Sequence, residues 1–219
     1  MIPLGSIRIV SLIMVLIGAM TTGCGTTAPY RFYMLAPIHE PAPAGFAGAA
    51  TRPLIGIRSV TWPDYLDRPQ IATRVSQHRL VYDDSRRWAE PLQENFLRVL
   101  AENLAWRLKT DQVVQYPWPG GRRVGYQVVV RVLEFEAGPD PSAKLIALWS
   151  VRDMDHAEVV PTRRSSFSVA APLADFDARA RALSEAVASL SGEMAEALRH
   201  LGGRAMTSRA GTTDPVPRP

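Results

Sequence analysis

YQVVVRVLEFEAGPDPSAKLIALWSV, residues 126–151, decides what kind of fold this chain can adopt. Tyr126, Val128, Val130 and Val132 alternate onto one side of an extended backbone, while Val129, Leu133 and Phe135 fall on the other. A strand that is apolar on both sides has to be covered on both sides or flanked by other strands, which places it in the middle of a sheet. Gly138-Pro139-Asp140-Pro141 then forces a turn. Leu145–Val151, again apolar on both sides, follows directly. Two such strands joined through a tight turn predict the centre of an antiparallel sheet.

Outward from that pair, Val159–Val169 carries Thr162, Arg163, Arg164 and Ser165 in its middle and reads as a meander strand nearer the edge. Upstream, Leu54–Val60 and Gln112–Tyr116 are short strands, and Gln70–Val75 with Arg79–Tyr82 make a hairpin. Pro117-Trp118-Pro119-Gly120-Gly121 is a turn cluster. Two segments have helical period. In Trp88–Lys109, Leu92, Phe96, Leu100, Leu104 and Leu108 recur every four residues, with Pro91 in the first turn and Ser85 or Asp84 as cap. Trp106 lies off that stripe. In Asp177–Leu201, Leu183, Val187, Leu190, Met194, Leu198 and Leu201 form the stripe, and Gly202-Gly203 ends it. Helices segregated from runs of strands predict an α+β fold, an antiparallel sheet with two long amphipathic helices packed on one face.

The first residues read as export machinery. Arg8 supplies a positive n-region, and Ile9–Met20 is an apolar run of twelve residues. About 20 are needed to cross a bilayer, so the run fits a signal peptide (1–23) and not a span. Thr21-Thr22-Gly23-Cys24 resembles the lipobox of bacterial lipoproteins, with Thr21 where Leu is preferred. The resemblance implies cleavage after Gly23 and acylation of Cys24, the single cysteine of the chain. Gly25, where Asp is absent, resembles lipoproteins sorted to the outer membrane. The mature domain is expected over 24–201, with 36–52 a flexible loop rich in Pro, Ala and Gly, and 202–219 a disordered tail. Tyr30–Leu35 (YRFYML) reads as a strand. If Tyr30 already joins the sheet, five residues tether the domain within about 17 Å of the lipid.

A further stretch concentrates large side chains on broken backbone. WPDYLDRPQI (62–71) sets Trp62, Tyr65, Leu66, Asp67 and Arg68 between Pro63 and Pro69, and RWAEPL (87–92) adds Arg87 and Trp88. Each proline pushes the residue before it out of the α region, so 62–69 is not a continuous helix. Aromatics and arginines on such connections dominate protein interfaces, which makes these seven residues the candidate partner-binding set. The alternative is that Trp62, Tyr65 and Leu66 fold back onto the sheet as core.

These motifs, together with NFLRVLAENLA (95–105) and YPW (116–118), resemble the PqiC family of ABC-type transport auxiliary lipoproteins, in the family's order and over residues 30–200. The resemblance implies a lipid-anchored auxiliary subunit of an MCE-type lipid transport system on the periplasmic face of the outer membrane. It further implies docking of an MCE-domain protein of PqiB type, homo-oligomerisation, and no catalysis or cofactor of its own.

Chemistry is otherwise scarce. His39, His78, His156 and His200 lie far apart, with no i,i+4 pair for a metal. Neither a GxSxG elbow nor a P-loop occurs. Asp64 and Asp67 in a Pro-flanked loop read as turn caps. The net charge of +4 is modest, and its arginines, from Arg58 and Arg68 to Arg163 and Arg164, look scattered over a solvated surface and not gathered as in a nucleic-acid binder. A general envelope-assembly lipoprotein with another client, or a lipid-anchored hydrolase, are the alternative readings.

Overall fold

Strand β6, Tyr126–Ala137, is the hub of an eight-stranded sheet. The computed structural model describes residues 29–38, 53–156 and 159–210, with side chains to 203. Cys24, the signal segment, most of the 36–52 connection and residues 211–219 lie outside the described residues. The sheet and helices belong to one unit that begins at Arg31.

The other strands are β1 (Arg31–Tyr33), β2 (Ile55–Thr61), β3 (Gln70–Ser76), β4 (Arg79–Trp88), β5 (Val113–Gln115), β7 (Ser142–Asp153) and β8 (Val159–Ala170). Helix α1 spans Leu92–Leu108 and helix α2 Phe176–Ala210. On one edge β6 pairs with β7 along its whole length, and β7 pairs in turn with β8. On its other edge β6 meets β2 over Tyr126–Arg131, then touches β3 only at Ala137 opposite Thr73. This double use of one edge lets the β3–β4 hairpin and β1 extend the sheet beyond β2.

The α+β class holds, with the two helices packed on each other and on one side of the sheet. Pairing is antiparallel in β3–β4 and β6–β7–β8, but β1–β4, β2–β5 and β2–β6 run parallel. Parallel neighbours need a long crossover. Between β2 and β5 the hairpin and α1 together provide one.

Helix α1 begins at Leu92, later than Trp88, because Pro91 disfavours helical backbone at Glu90. The chain up to Trp88 stays in β4, and Pro91 is the N-cap without a side-chain bond. Ser85 does not cap the helix; its hydroxyl donates to Asp83 at 2.7 Å. At the other end of the fold, α2 continues through Gly202-Gly203 to Ala210. Neither glycine takes a positive φ, so each costs only about 1 kcal/mol of propensity and the helix propagates past them.

The core lies between helices and sheet. Phe96, Val99, Leu100 and Leu104 of α1 and Leu183, Val187, Leu190 and Met194 of α2 are fully buried against Ile57, Val128, Val130, Leu145 and Trp149. Trp149 donates its indole N–H to Ser165 Oγ at 2.8 Å, and Ser165 in turn bonds Glu193 of α2, so β7, β8 and the helix are tied by one chain of contacts.

Two polar residues break the apolar stripe of α1. Asn95 and Asn103 are 1% and 2% exposed. Asn95 Oδ1 accepts from the Leu35 N–H at 2.6 Å, and its Nδ2 donates to the Leu35 carbonyl at 3.2 Å. Asn103 Oδ1 accepts from the Ile38 N–H at 3.4 Å, and Ser184 Oγ of α2 accepts from Ala36 N–H at 3.1 Å. Once β1 has left its ladder with β4, these side chains take over as backbone partners. Residues 36–38, expected within a loose connection, are therefore held across both helices.

Replacing Asn95 with Ala leaves the buried Leu35 N–H and carbonyl without their partner. Each unsatisfied group costs about 1–3 kcal/mol, so Asn95→Ala is expected to lose about 2–4 kcal/mol in urea denaturation; a loss below about 1 kcal/mol contradicts this role.

Candidate functional site

The 62–68 connection sits over the end of the core as a short 3₁₀ turn, Asp64–Leu66, fixed from beneath. Trp62 packs on Phe96 and Phe135, and the three rings contact one another at centroid distances of 5.4–5.5 Å. Its indole N–H is buried without a hydrogen-bond partner among the described residues. Leu66 is buried, and Trp88 is buried at the end of β4. Asp67 and Arg68 face solvent, with the Arg68 guanidinium 5.1 Å from the centre of the Tyr82 ring. The segment is therefore divided: aromatic and aliphatic anchors turn inward, and a charged tip turns out.

Tyr65 joins the two parts. Its hydroxyl donates to Glu136 Oε2 at 2.8 Å, while its carbonyl accepts from Tyr82 OH at 3.0 Å. Glu136 is only 3% exposed, yet its carboxylate is fully used: Arg74 Nε donates at 2.7 Å and the Phe135 N–H at 2.9 Å. Burial, then the charge of Glu136 and the bond to it, hold the Tyr65 phenol well above its ordinary range. For Arg74 burial works against the cation, but the hydrogen bond and charge of Glu136 outweigh it and raise the guanidinium further. The tyrosine thus stays a neutral donor and the arginine a cation throughout the physiological range. This is a positioning network for a turn.

Arg87 lies beside this turn, paired in register with Gln70 of β3 and Phe32 of β1. Tyr33 and Trp88 point into the core, so Phe32 and Arg87 point away from it. Phe32 is 62% exposed, Met34 50% and Ile38 46%. These apolar side chains alternate along the segment that Asn95 and Asn103 pin down. Together with the N-terminal part of α2 (Asp177, Ala180, Arg181) they line a cavity of about 520 Å³. The structure thus brings Phe32, Arg87 and the Asp67–Arg68 tip to one continuous border of the sheet, and it withdraws Leu66 and Trp88 from it. Phe32, Met34 and Ile38 had no signal in the pattern, because YRFYML is aromatic at nearly every position and does not announce which face is wet.

Arg179, 5% exposed, is a buried cation. It donates to Thr73 Oγ1 at 2.9 Å and to the Leu173 carbonyl, and stacks 4.3 Å from the Phe176 ring, opposite Arg86 at 4.4 Å. Burial, with the nearby Arg86 charge, lowers its guanidinium, and Asp83 only partly offsets this. Among the described residues no three His, Cys, Asp or Glu side chains gather as a metal site, and no helix is long and apolar enough to cross a membrane.

A family model described as "ABC-type transport auxiliary lipoprotein component" matches residues 33–195. The chain belongs to this family. Two crystal structures share the fold of this auxiliary lipoprotein. One, titled only as an uncharacterized protein, is 19% identical, with a TM-score of 0.63 over 78% of this chain and 99% of its own. The other, a protein of Xanthomonas campestris, is 18% identical, with a TM-score of 0.62 over 81% of this chain and 99% of its own. None of the curated proteins matches. The family is one of auxiliary transport components and not a known enzyme family. The match starts at Tyr33, so it takes in Leu35 and both asparagines that bind the 35–38 segment.

Glu136→Gln keeps an acceptor for Tyr65 but removes the charge facing Arg74. It is expected to cost about 1–3 kcal/mol, read by thermal or urea unfolding, while Tyr65→Phe costs about 1 kcal/mol. An unchanged midpoint in both variants contradicts the network as described.

Proposed function

We propose that this auxiliary lipoprotein is a non-catalytic docking subunit of an MCE-type intermembrane lipid transport system. Acylated Cys24 holds it on the periplasmic face of the outer membrane, and the border formed by Phe32, Met34, Arg87, Asp67 and Arg68 receives an MCE-domain protein of PqiB type. The observation that carries this reading is the rigid support under an exposed surface. Phe32 and Met34 stay in water although the segment is fixed, Phe32 by the ladder to β4 and residues 35, 36 and 38 by the two helices, and a charged tip stands on a three-ring cluster. Apolar side chains held exposed on ordered backbone lose little entropy on docking, which favours binding. Trp62, Tyr65, Leu66 and Trp88 belong to the site as its support, beneath the contact surface. Assembly of several copies around the partner is part of the same proposal.

The tether is consistent with that role. Sheet structure begins at Arg31, so residues 25–30 alone separate the lipidated cysteine from the domain. Six extended residues reach at most about 20 Å, which keeps the docking border close to the membrane surface.

Two experiments check the proposal. Cys24→Ala is expected to leave an unacylated precursor without incorporated radiolabelled fatty acid; normal labelling removes the anchor. Asp67→Arg with Arg68→Glu alters only exposed side chains, so unfolding should stay within about 0.5 kcal/mol of the parent. Recovery of the MCE-domain protein in detergent co-purification should fall by at least about tenfold, as expected when an interface charge pair is reversed. Undiminished recovery with the fold intact excludes this border as the docking site.

A further inference from the structure

The side of the sheet away from the helices carries a concentration of charge that the linear sequence hides. Along β6 the residues pointing away from the core are Gln127, Val129 and Arg131, alternating with buried Val128 and Val130. Their registered neighbours complete a flat patch. Arg131 stands opposite Leu148 of β7, which stands opposite Arg164 of β8. One row along, Val129 lies between Ser59 of β2 and Ser150 of β7. In the next, Gln127 lies beside Arg152, and Arg152 beside Val159. Arg58 enters the patch at the irregularity in β2 between Ile57 and Ser59.

Strands lie about 4.8 Å apart and residues on one side of a strand about 6.8 Å apart, so four guanidinium groups share a surface roughly 15 Å across. Arg58, Arg131, Arg152 and Arg164 are all exposed, and among the described residues none forms an ion pair with a carboxylate. Other charged groups on the molecule do pair: Glu134 with Lys144 at 3.0 Å, Arg123 with Asp155 at 2.8 Å, Arg98 with Glu90 at 2.5 Å. What distinguishes the four arginines is their convergence on one helix-free face without an interleaved carboxylate partner. Between them Arg58, Ser59, Gln127, Val129, Ser150, Arg152 and Val159 enclose a shallow depression of about 330 Å³. It offers two planar fork-shaped cations, two hydroxyls and a carboxamide, and no acidic group.

We infer that this helix-free face binds the phosphodiester headgroups of anionic lipids, with Arg58 and Arg152 gripping one headgroup and Arg131 and Arg164 flanking it. The chemistry selects a phosphate-type anion, because guanidinium forks match its oxygens two at a time and serine hydroxyls supply the remaining donors. A lipid is favoured over an acidic protein on two grounds. The patch is flat and has no aromatic side chain of the kind that anchors protein interfaces, and the chain belongs to a family of lipoproteins, which live at a membrane surface. The inference is independent of the docking border: Phe32, Asp67 and Arg68 take no part in it.

The test uses the mature lipidated chain in vesicles of phosphatidylcholine, with or without phosphatidylglycerol. Arginines are modified with the uncharged reagent phenylglyoxal, and each site is followed by peptide mass spectrometry. The anionic vesicles are expected to slow modification of Arg58, Arg131, Arg152 and Arg164 by at least about fivefold, the scale of one basic side chain at an anionic surface. Arg199, exposed towards the other end of α2 and bonded to the Arg107 carbonyl of α1, should react equally in both. The double variant Arg58→Gln with Arg152→Gln should lose most of the protection at Arg131 and Arg164. Equal rates in both vesicles overturn the inference. So does equal protection by inorganic phosphate in phosphatidylcholine vesicles, which makes this a site for the free ion, or by polyglutamate, which assigns the face to acidic protein.

Discussion

The two-way hydrogen bond between Asn95 and Leu35 is the constraint on which the arrangement of this domain depends. A primary amide on a helix presents a donor and an acceptor side by side, as a neighbouring strand does. It can therefore continue a sheet's hydrogen bonding where the sheet itself has stopped. Asn103, two helical turns further along, uses only the acceptor half of the device, on Ile38, while its Nδ2 is buried without a partner among the described residues; Ser184 serves Ala36 from the second helix. The buried Leu35 N–H and carbonyl would otherwise carry the full penalty of unpaired buried dipoles. The consequence is that residues 35–38 become part of the domain, and Phe32 and Met34 are displayed at fixed positions.

The two sides of the sheet divide the work. One side is covered by α1 and α2 and contains nearly all the fully buried side chains. The other carries no helix, and its strands alternate outward into polar and basic residues. An antiparallel meander tolerates one wet side. Here that side is free to carry charge because the helices already enclose the core. At the border between the two, Glu136 holds the 62–68 turn by accepting from a tyrosine, an arginine and a backbone amide at once. A buried carboxylate that accepts three hydrogen bonds fixes geometry more firmly than an apolar contact, which is non-directional.

Much of this was legible in the residues. The four-residue step of Leu92, Phe96, Leu100 and Leu104 marked a helix face that is fully buried, and the two-sided apolar pattern of 126–135 correctly placed that strand at the hub. What escaped the sequence has identifiable causes. Side-chain alternation is the same in parallel and antiparallel strands, so the parallel pairing of β2 with β5 and β6 left no mark. Trp88 reads equally well as a helix start or a strand end until Pro91 is weighed against Glu90. Asn95 and Asn103 are polar residues on an apolar stripe, a signal that was present and points to a buried backbone partner. The convergence of Arg58, Arg131, Arg152 and Arg164 depends on register between four strands, which no single stretch encodes. The break in β6–β7 register after Val132 puts Phe135 on the core side in place of the next alternating residue, and Glu136 is buried instead under Tyr65 and Arg74, a placement no single stretch encodes.

The central claim is that residues 33–38 are an integral part of the domain; with the acylation proposed for Cys24, the tether is then only six residues long. Amide hydrogen exchange at Leu35 and Ala36 addresses it directly, because their N–H groups are bonded to Asn95 and Ser184 and to nothing in a strand. Exchange measured on the mature chain should be as slow at these two amides as at the central amides of β6, opening only with the domain as a whole. Exchange at the rate of an unprotected peptide, while β6 remains protected, would show the segment free and contradict the account.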